Sequence, residues 1–263
     1  MLTLSPTELR DHALLNDAQS SGFSYQRAPP KLPLPTGHFS DFAFSYFRER
    51  DWANIATFDS DAVQPILWSA QRHAIALTPV TTKTEEESDD SMTALAVSAC
   101  GNFGVAGYQS GRIVKFSMQN GSFKYAINCH PVGALALDCA NRYLLNASSD
   151  GHLICRDFYG GKKVIFSDQP ATHDPPSDHI SALTRLRICD ASGLAAVSDA
   201  AGRVFVYDLK TKLLSRVLKP RGSGSKEKAV VDISFLLPAG RVLLVATRAG
   251  SLYFWDLLTS RIL

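Results

Sequence analysis

Four lines of the 263-residue sequence superpose on a glycine: "SGRIVKFSM" from Ser110, "DGHLICRDF" from Asp150, "AGRVFVYDL" from Ala201 and "AGSLYFWDL" from Ala249. The glycines are Gly111, Gly151, Gly202 and Gly250, which gives spacings of 40, 51 and 48 residues. Six residues after each glycine stands Ser117, Asp157, Asp208 or Asp256, preceded by Phe116, Arg156, Tyr207 or Trp255. Upstream of each lies another short apolar run: "TALAVS", "GALALD", "SALTRL" or "VDISFL". A small sheet unit that recurs in this way does not bury both of its faces alone. It needs copies stacked against it, which restricts the chain to a repeat architecture.

The runs are short, rich in Val, Leu, Phe and Tyr, and separated by Gly, Asp, Asn and Ser, so they read as strands joined by tight turns. A hairpin turn that requires positive φ explains the glycine. Both faces of each sheet are expected to be covered, because "VFVY" (204–207) and "LLVAT" (243–247) are apolar throughout. The aromatic before the aspartate is expected to fill the wedge between units, and the aspartate to accept hydrogen bonds from local backbone. The period matches blades of the WD-repeat β-propeller class. Insertions at 167–178 ("SDQPATHDPPSD") and 219–228 ("KPRGSGSKEK") explain the longer spacings. The expected fold is all-β, an incomplete propeller with about four clear blades and one partial one. The partial unit reads as three strands: "WANIATF" (52–58), "VQPILW" (63–68) and "HAIALTPV" (73–80). The closing "LTSRIL" would start a fourth strand of the last blade.

The approximate units are 39–80, 92–127, 133–166, 180–218 and 230–263, preceded by a proline-rich arm over 1–38. "APPKLPLPTGH" favours an extended arm, because proline fixes φ and lacks an N–H. A short helix is expected around Pro6–Leu15, with Ser5 as its cap. With fewer blades than the roughly seven usual in this class, the chain reads as a fragment or a truncated gene product.

A net charge of +2 gives no global pull toward nucleic acid or membrane. Five cysteines (Cys100, Cys129, Cys139, Cys155, Cys189) without a C-x-x-C pair point to a reducing compartment. The opening residues lack the pattern of a signal peptide, and no apolar run approaches the roughly 18 residues needed to span a bilayer. No catalytic, cofactor-binding or metal site is expected: the seven histidines are scattered, with no zinc-ligand spacing. His130 reads as a loop or packing histidine, and His179 as the histidine in the blade's hydrogen-bonding position rather than a catalytic one. "SSDGH" (148–152) contains Ser, Asp and His, yet a hairpin turn accounts for it. No phosphate-binding loop or nucleophile elbow is present. Two charge runs remain. Residues 203–228 carry eight Lys and Arg against Asp208 and Glu227; Lys210, Lys212, Arg216, Lys219 and Arg221 are the candidate RNA or partner contacts. "TTKTEEESDDS" (81–91) carries five acids against Lys83 and is a candidate partner loop, with Thr84 and Ser88 open to phosphorylation.

Several stretches go beyond generic repeat chemistry: "RERDW" (48–52), "SACGNFG" (98–104), "SMQNG" (117–121), "LDCANR" (137–142) and "FWDLLTS" (254–260). In order and spacing they resemble the WD repeat-containing protein 36 family, also called the twenty-one member of the U-three small-nucleolar-RNA-associated proteins. The resemblance covers roughly residues 30–263. It implies a non-catalytic scaffold in the UTP-B complex of the nucleolar small-subunit processome, supporting 18S precursor rRNA processing. Partners would be other UTP-B and processome proteins, with precursor rRNA or small nucleolar RNA as a further contact, and no membrane, cofactor or small-molecule substrate. The chain departs from the family in looking like part of a tandem propeller array. The usual Gly-His is reduced to Cys129-His130 and Asp178-His179. One rival reading is a WD scaffold of another assembly, such as a ubiquitin-ligase substrate receptor. Another is a propeller enzyme, which would need acids or histidines clustered at a channel mouth.

Overall fold

The computed structural model describes residues 39–59, 62–77, 90–173, 181–220 and 229–263. The arm over 1–38, its expected helix, and most of the acidic stretch lie outside these residues. So do Arg221 and His179. Among the described residues, twenty strands form five four-stranded sheets, each in simple sequence order, with antiparallel ladders in the first, third, fourth and fifth. The first holds Phe39–Phe44, Ile55–Asp59, Ile66–Ser69 and Ala74–Leu77 (β1–β4). The second holds Met92–Val97, Phe103–Tyr108, Arg112–Ser117 and Phe123–Asn128 (β5–β8). The third holds Val132–Leu137, Tyr143–Ser148, Leu153–Asp157 and Val164–Asp168 (β9–β12). The fourth holds Leu183–Cys189, Leu194–Asp199, Val204–Asp208 and Leu213–Leu218 (β13–β16). The fifth holds Val230–Leu236, Val242–Thr247, Leu252–Asp256 and Arg261–Ile262 (β17–β20). Among the described residues the only helix is a single 3-10 turn at Pro170–His173, and no helix is long and apolar enough to cross a membrane.

The first unit corrects one expectation: it has four strands, not three. "FSDFAF" forms β1 and pairs with β2 through a bulge between Phe39 and Asp41. The bulge breaks strict alternation, and an acid inside the run masks the pattern. Phe42 and Phe44 remain exposed on this strand, with their rings stacked at 6.1 Å.

The chain divides into two compact units, residues 1–106 with 115–124, and 107–114 with 125–263. In the first, the loop after β1 is fastened to the turn after β5. The Ser45 hydroxyl donates to the Ala99 carbonyl (2.9 Å), and Trp52 Nε1 donates to the Gly101 carbonyl (2.9 Å).

In the second unit, alternation places successive residues in different cores. Ala195 and Val197 of β14, with Phe205 and Tyr207 of β15, pack against Leu145, Leu153 and Cys155 of the third sheet. Ala196, Val204 and Val206 face the other way, onto Ile233, Leu243, Val245 and Trp255 of the fifth. Strand geometry requires this, since side chains alternate with a period of two. Burial of a ring such as Phe205 contributes about 2–3 kcal/mol.

Tyr207 ties a blade face to the preceding sheet. Its hydroxyl donates to Asp168 Oδ2 at 2.6 Å, and His173 Nε2 reaches the same carboxylate at 2.9 Å. Burial pushes the Asp168 carboxyl up, but the hydrogen bonds from Tyr207 and His173 outweigh it and hold the group below the usual range. A depressed carboxyl contributes its stability above the unfolded value of about 3.9 and loses it as pH falls through the lower folded value. Tyr207→Phe is therefore expected to cost about 2 kcal/mol at pH 6 and distinctly less at pH 3. Urea denaturation at the two pH values measures the difference, and an equal cost at both would break the link to Asp168.

Candidate functional site

The hairpins that enter the third strands of the last four sheets share one geometry. Gly111, Gly151, Gly202 and Gly250 have φ of 93°, 89°, 86° and 80°. Each donates its N–H three residues back, to Tyr108, Ser148, Asp199 and Thr247 respectively, at 3.0–3.1 Å. At the far end of those strands, aspartates cap the next turn. Asp157 Oδ2 accepts from the Gly160 N–H (2.9 Å), Asp208 Oδ1 from Lys210 (2.8 Å), and Asp256 Oδ1 from Leu258 (2.9 Å). Asp256 also accepts from the Thr259 hydroxyl at 2.8 Å. The Leu258 N–H and the Thr259 hydroxyl hold its carboxyl below the usual range. Trp255 is buried and stacks on Tyr253 with centroids 5.4 Å apart. These eight positions sit at turns and in cores; their geometry serves the fold.

The basic candidates do not form one patch. Lys210 and Lys212 are exposed in the turn between β15 and β16, while Lys219 follows the far end of β16. Six residues of strand separate those ends by about 20 Å. Arg216, between them, donates from Nη1 to the Ser260 hydroxyl at 3.1 Å. Arg203, from the same run, pairs through Nε with the buried Asp199 carboxylate at 2.7 Å.

The structure does assemble a group that the reading of scattered histidines missed. His130, in the loop before β9, points Nδ1 at Asp150 Oδ2 (2.5 Å); His152 points Nδ1 at Asp150 Oδ1 (2.9 Å). The two imidazoles stack with centroids 4.1 Å apart and planes 26° from parallel. Gln169 Nε2 lies 2.6 Å from His152 Nε2. An ionised carboxylate only accepts, so both Nδ1 atoms carry protons, and Gln169 donates to the remaining lone pair of His152. Burial pushes the Asp150 carboxyl up, yet hydrogen bonds from Ser148, His152 and His130 prevail and hold it well below the usual range. The ligand-capable atoms of His130, Asp150 and His152 all lie within 4.8 Å of one another.

Beside this group is a shallow cavity of about 460 Å³ lined by Cys129, His130, Pro131, Ile154, Arg156, Val164 and Ser167. Its thiol is not an activated nucleophile. Burial pushes the Cys129 thiol up to about 11 against the pull of Arg156, so it is protonated at neutral pH. The buried Ser148 hydroxyl donates to the Pro131 carbonyl at 2.6 Å. "SSDGH" is thus a hairpin turn with a histidine pair gathered on its aspartate.

Five sheet meanders, with hairpin glycines and capping aspartates repeated from sheet to sheet, define an all-β WD-repeat β-propeller protein. No protein-family model matches the chain. Over 270 residues it is 27% identical to the U3 small nucleolar RNA-associated protein 21 homolog of Schizosaccharomyces pombe, covering 97% of this chain and 28% of that protein. It is 28% identical to WD repeat-containing protein 36 of Homo sapiens, over 82% of this chain and 23% of that protein. The U3 small nucleolar RNA-associated protein 21 of Saccharomyces cerevisiae gives 28% identity over 80% of this chain and 20% of that protein. The chain is similar to these proteins and spans 20–28% of their length.

Proposed function

We propose that the chain is a non-catalytic scaffold segment of the small-subunit processome, within UTP-B, acting in 18S precursor rRNA processing in the nucleolus. The observation that carries this reading is similarity over 97% of the chain to a protein named for its association with U3 small nucleolar RNA. The site chemistry is in keeping with it: the grouped polar side chains are tied into turns, and the cavity thiol is inert. Function then resides in the rims of the blades, which hold protein neighbours in place. The boundaries proposed for this role are an arm over 1–38 and blades over 39–263.

Affinity purification of the endogenous protein with mass spectrometry is expected to recover processome subunits. Recovery of ubiquitin-ligase subunits in their place would favour the rival scaffold. Direct RNA contact is proposed through Lys210 and Lys212, which share one exposed turn. Phosphate contacts are non-specific and salt-dependent. Lys210→Glu with Lys212→Glu is expected to lower RNA crosslinking several-fold without lowering subunit recovery. Unchanged crosslinking would remove RNA from the proposal and leave the protein contacts standing.

A further inference from the structure

We propose that His130, Asp150 and His152 form a zinc site at the end of the third sheet. Two imidazole nitrogens and a carboxylate oxygen are a ligand set zinc takes, with water in the fourth tetrahedral position. Nitrogen donors also favour zinc over magnesium or calcium, which prefer oxygen. The fold brings the three together from two segments: His130 precedes β9, and Asp150 and His152 flank Gly151 in the β10–β11 hairpin.

The geometry fits with small adjustment. Bond lengths of about 2.0–2.2 Å place tetrahedral ligand atoms about 3.3 Å apart. His130 Nδ1 lies 2.5 Å from Oδ2 and His152 Nδ1 lies 2.9 Å from Oδ1, and the ligand-capable atoms of the three residues all lie within 4.8 Å of one another, so a turn of the Asp150 carboxylate that sets one oxygen toward both nitrogens completes the set. All three side chains are partly exposed, at 43% for His130, 38% for Asp150 and 26% for His152, so rotation about their own bonds suffices. The ring stack keeps both Nδ1 edges on the carboxylate.

Gln169 supplies the outer contact a zinc-bound histidine requires. When Nδ1 of a neutral imidazole binds metal, its proton moves to Nε2, with no net release. In His152 that nitrogen faces the Gln169 amide at 2.6 Å. Half a turn of the amide exchanges nitrogen for Oε1, which then accepts the N–H. Arg156 lines the adjoining cavity, and its charge opposes a cation at the site.

The test is calorimetric titration of the chelator-treated 263-residue chain with Zn²⁺. One ion per chain is expected, together with a higher melting temperature in excess zinc, since an ion that binds only the folded state stabilises it. His152→Gln is expected to weaken binding at least about tenfold, and His173→Gln to leave it unchanged. His152 is the diagnostic position because its loss leaves the His130–Asp150 contact in place, so folding is retained. Co²⁺ gives a second readout: the intense visible absorption of tetrahedral cobalt is expected in the parent chain and not in His152→Gln. No stoichiometric uptake, or equal affinity in His152→Gln and the parent, would overturn the site.

Discussion

Gly111→Ala is expected to destabilise the chain by about 3–5 kcal/mol. Two causes add. The residue has φ of +93°, and an added Cβ would lie 2.1 Å from the Cys129 carbonyl oxygen. That oxygen belongs to backbone, so no side-chain rotation relieves the clash. The Gly111 carbonyl also accepts the Cys129 N–H at 2.9 Å, and any retreat of the turn loosens that bond. Gly250→Ala is the internal control. Its φ is +80°, yet nothing lies within 4 Å of the added carbon. It is expected to cost only the conformational penalty, about 1–2 kcal/mol. Thermal melts should separate the two by several degrees, at about 2–4 °C per kcal/mol for a chain of this size. Equal losses would show that backbone conformation alone governs these turns.

Asp199→Ala is the second large loss, expected at about 3–5 kcal/mol. The Asp199 side chain is fully buried. Oδ1 accepts the Arg203 backbone N–H at 2.8 Å, and Oδ2 accepts Arg203 Nε at 2.7 Å. The carboxylate thereby closes the hairpin around Gly202, whose N–H is bound to the Asp199 carbonyl at 3.1 Å. Alanine removes the acceptor of both bonds and leaves a guanidinium that is only 11% exposed beside a void. Asp199→Asn retains one oxygen and most of the volume, and is expected to recover about half of the loss. Chemical denaturation of the two variants tests this; a loss below about 1 kcal/mol in the alanine variant would mean that solvent or another side chain replaces the carboxylate.

The repeat was readable because each copy carries two independent signals, a glycine at a turn that needs positive φ and apolar runs of strand length. The all-β propeller class followed from those. β1 was missed because Asp41 sits at a bulge, and a period-two pattern fails where one residue is inserted. The histidine group was missed for a different reason. His130 and Asp150 are separated by a complete hairpin, and spacing rules for metal ligands look within short windows. The register does contain the answer: Val132 pairs with Ser148, and His130 and Asp150 each stand two residues beyond that pair. The Asp-Gly-His turn with a histidine just ahead of the preceding strand was the legible signal. The basic run shows the opposite failure. It is continuous along the chain, but the six-residue strand β16 sets Lys210 and Lys212 at one end of the sheet and Lys219 at the other.

The division of β15 between two cores has a consequence for how damage spreads. Val206 and Tyr207 are covalent neighbours, yet one shares its packing with Trp255 and the other with Cys155. Proximity along the chain is therefore a poor guide to energetic kinship: adjacent positions belong to separate mechanical compartments, while partners far apart in sequence stand or fall together. A strand placed in this way acts as a party wall, and a defect in it is felt in both rooms.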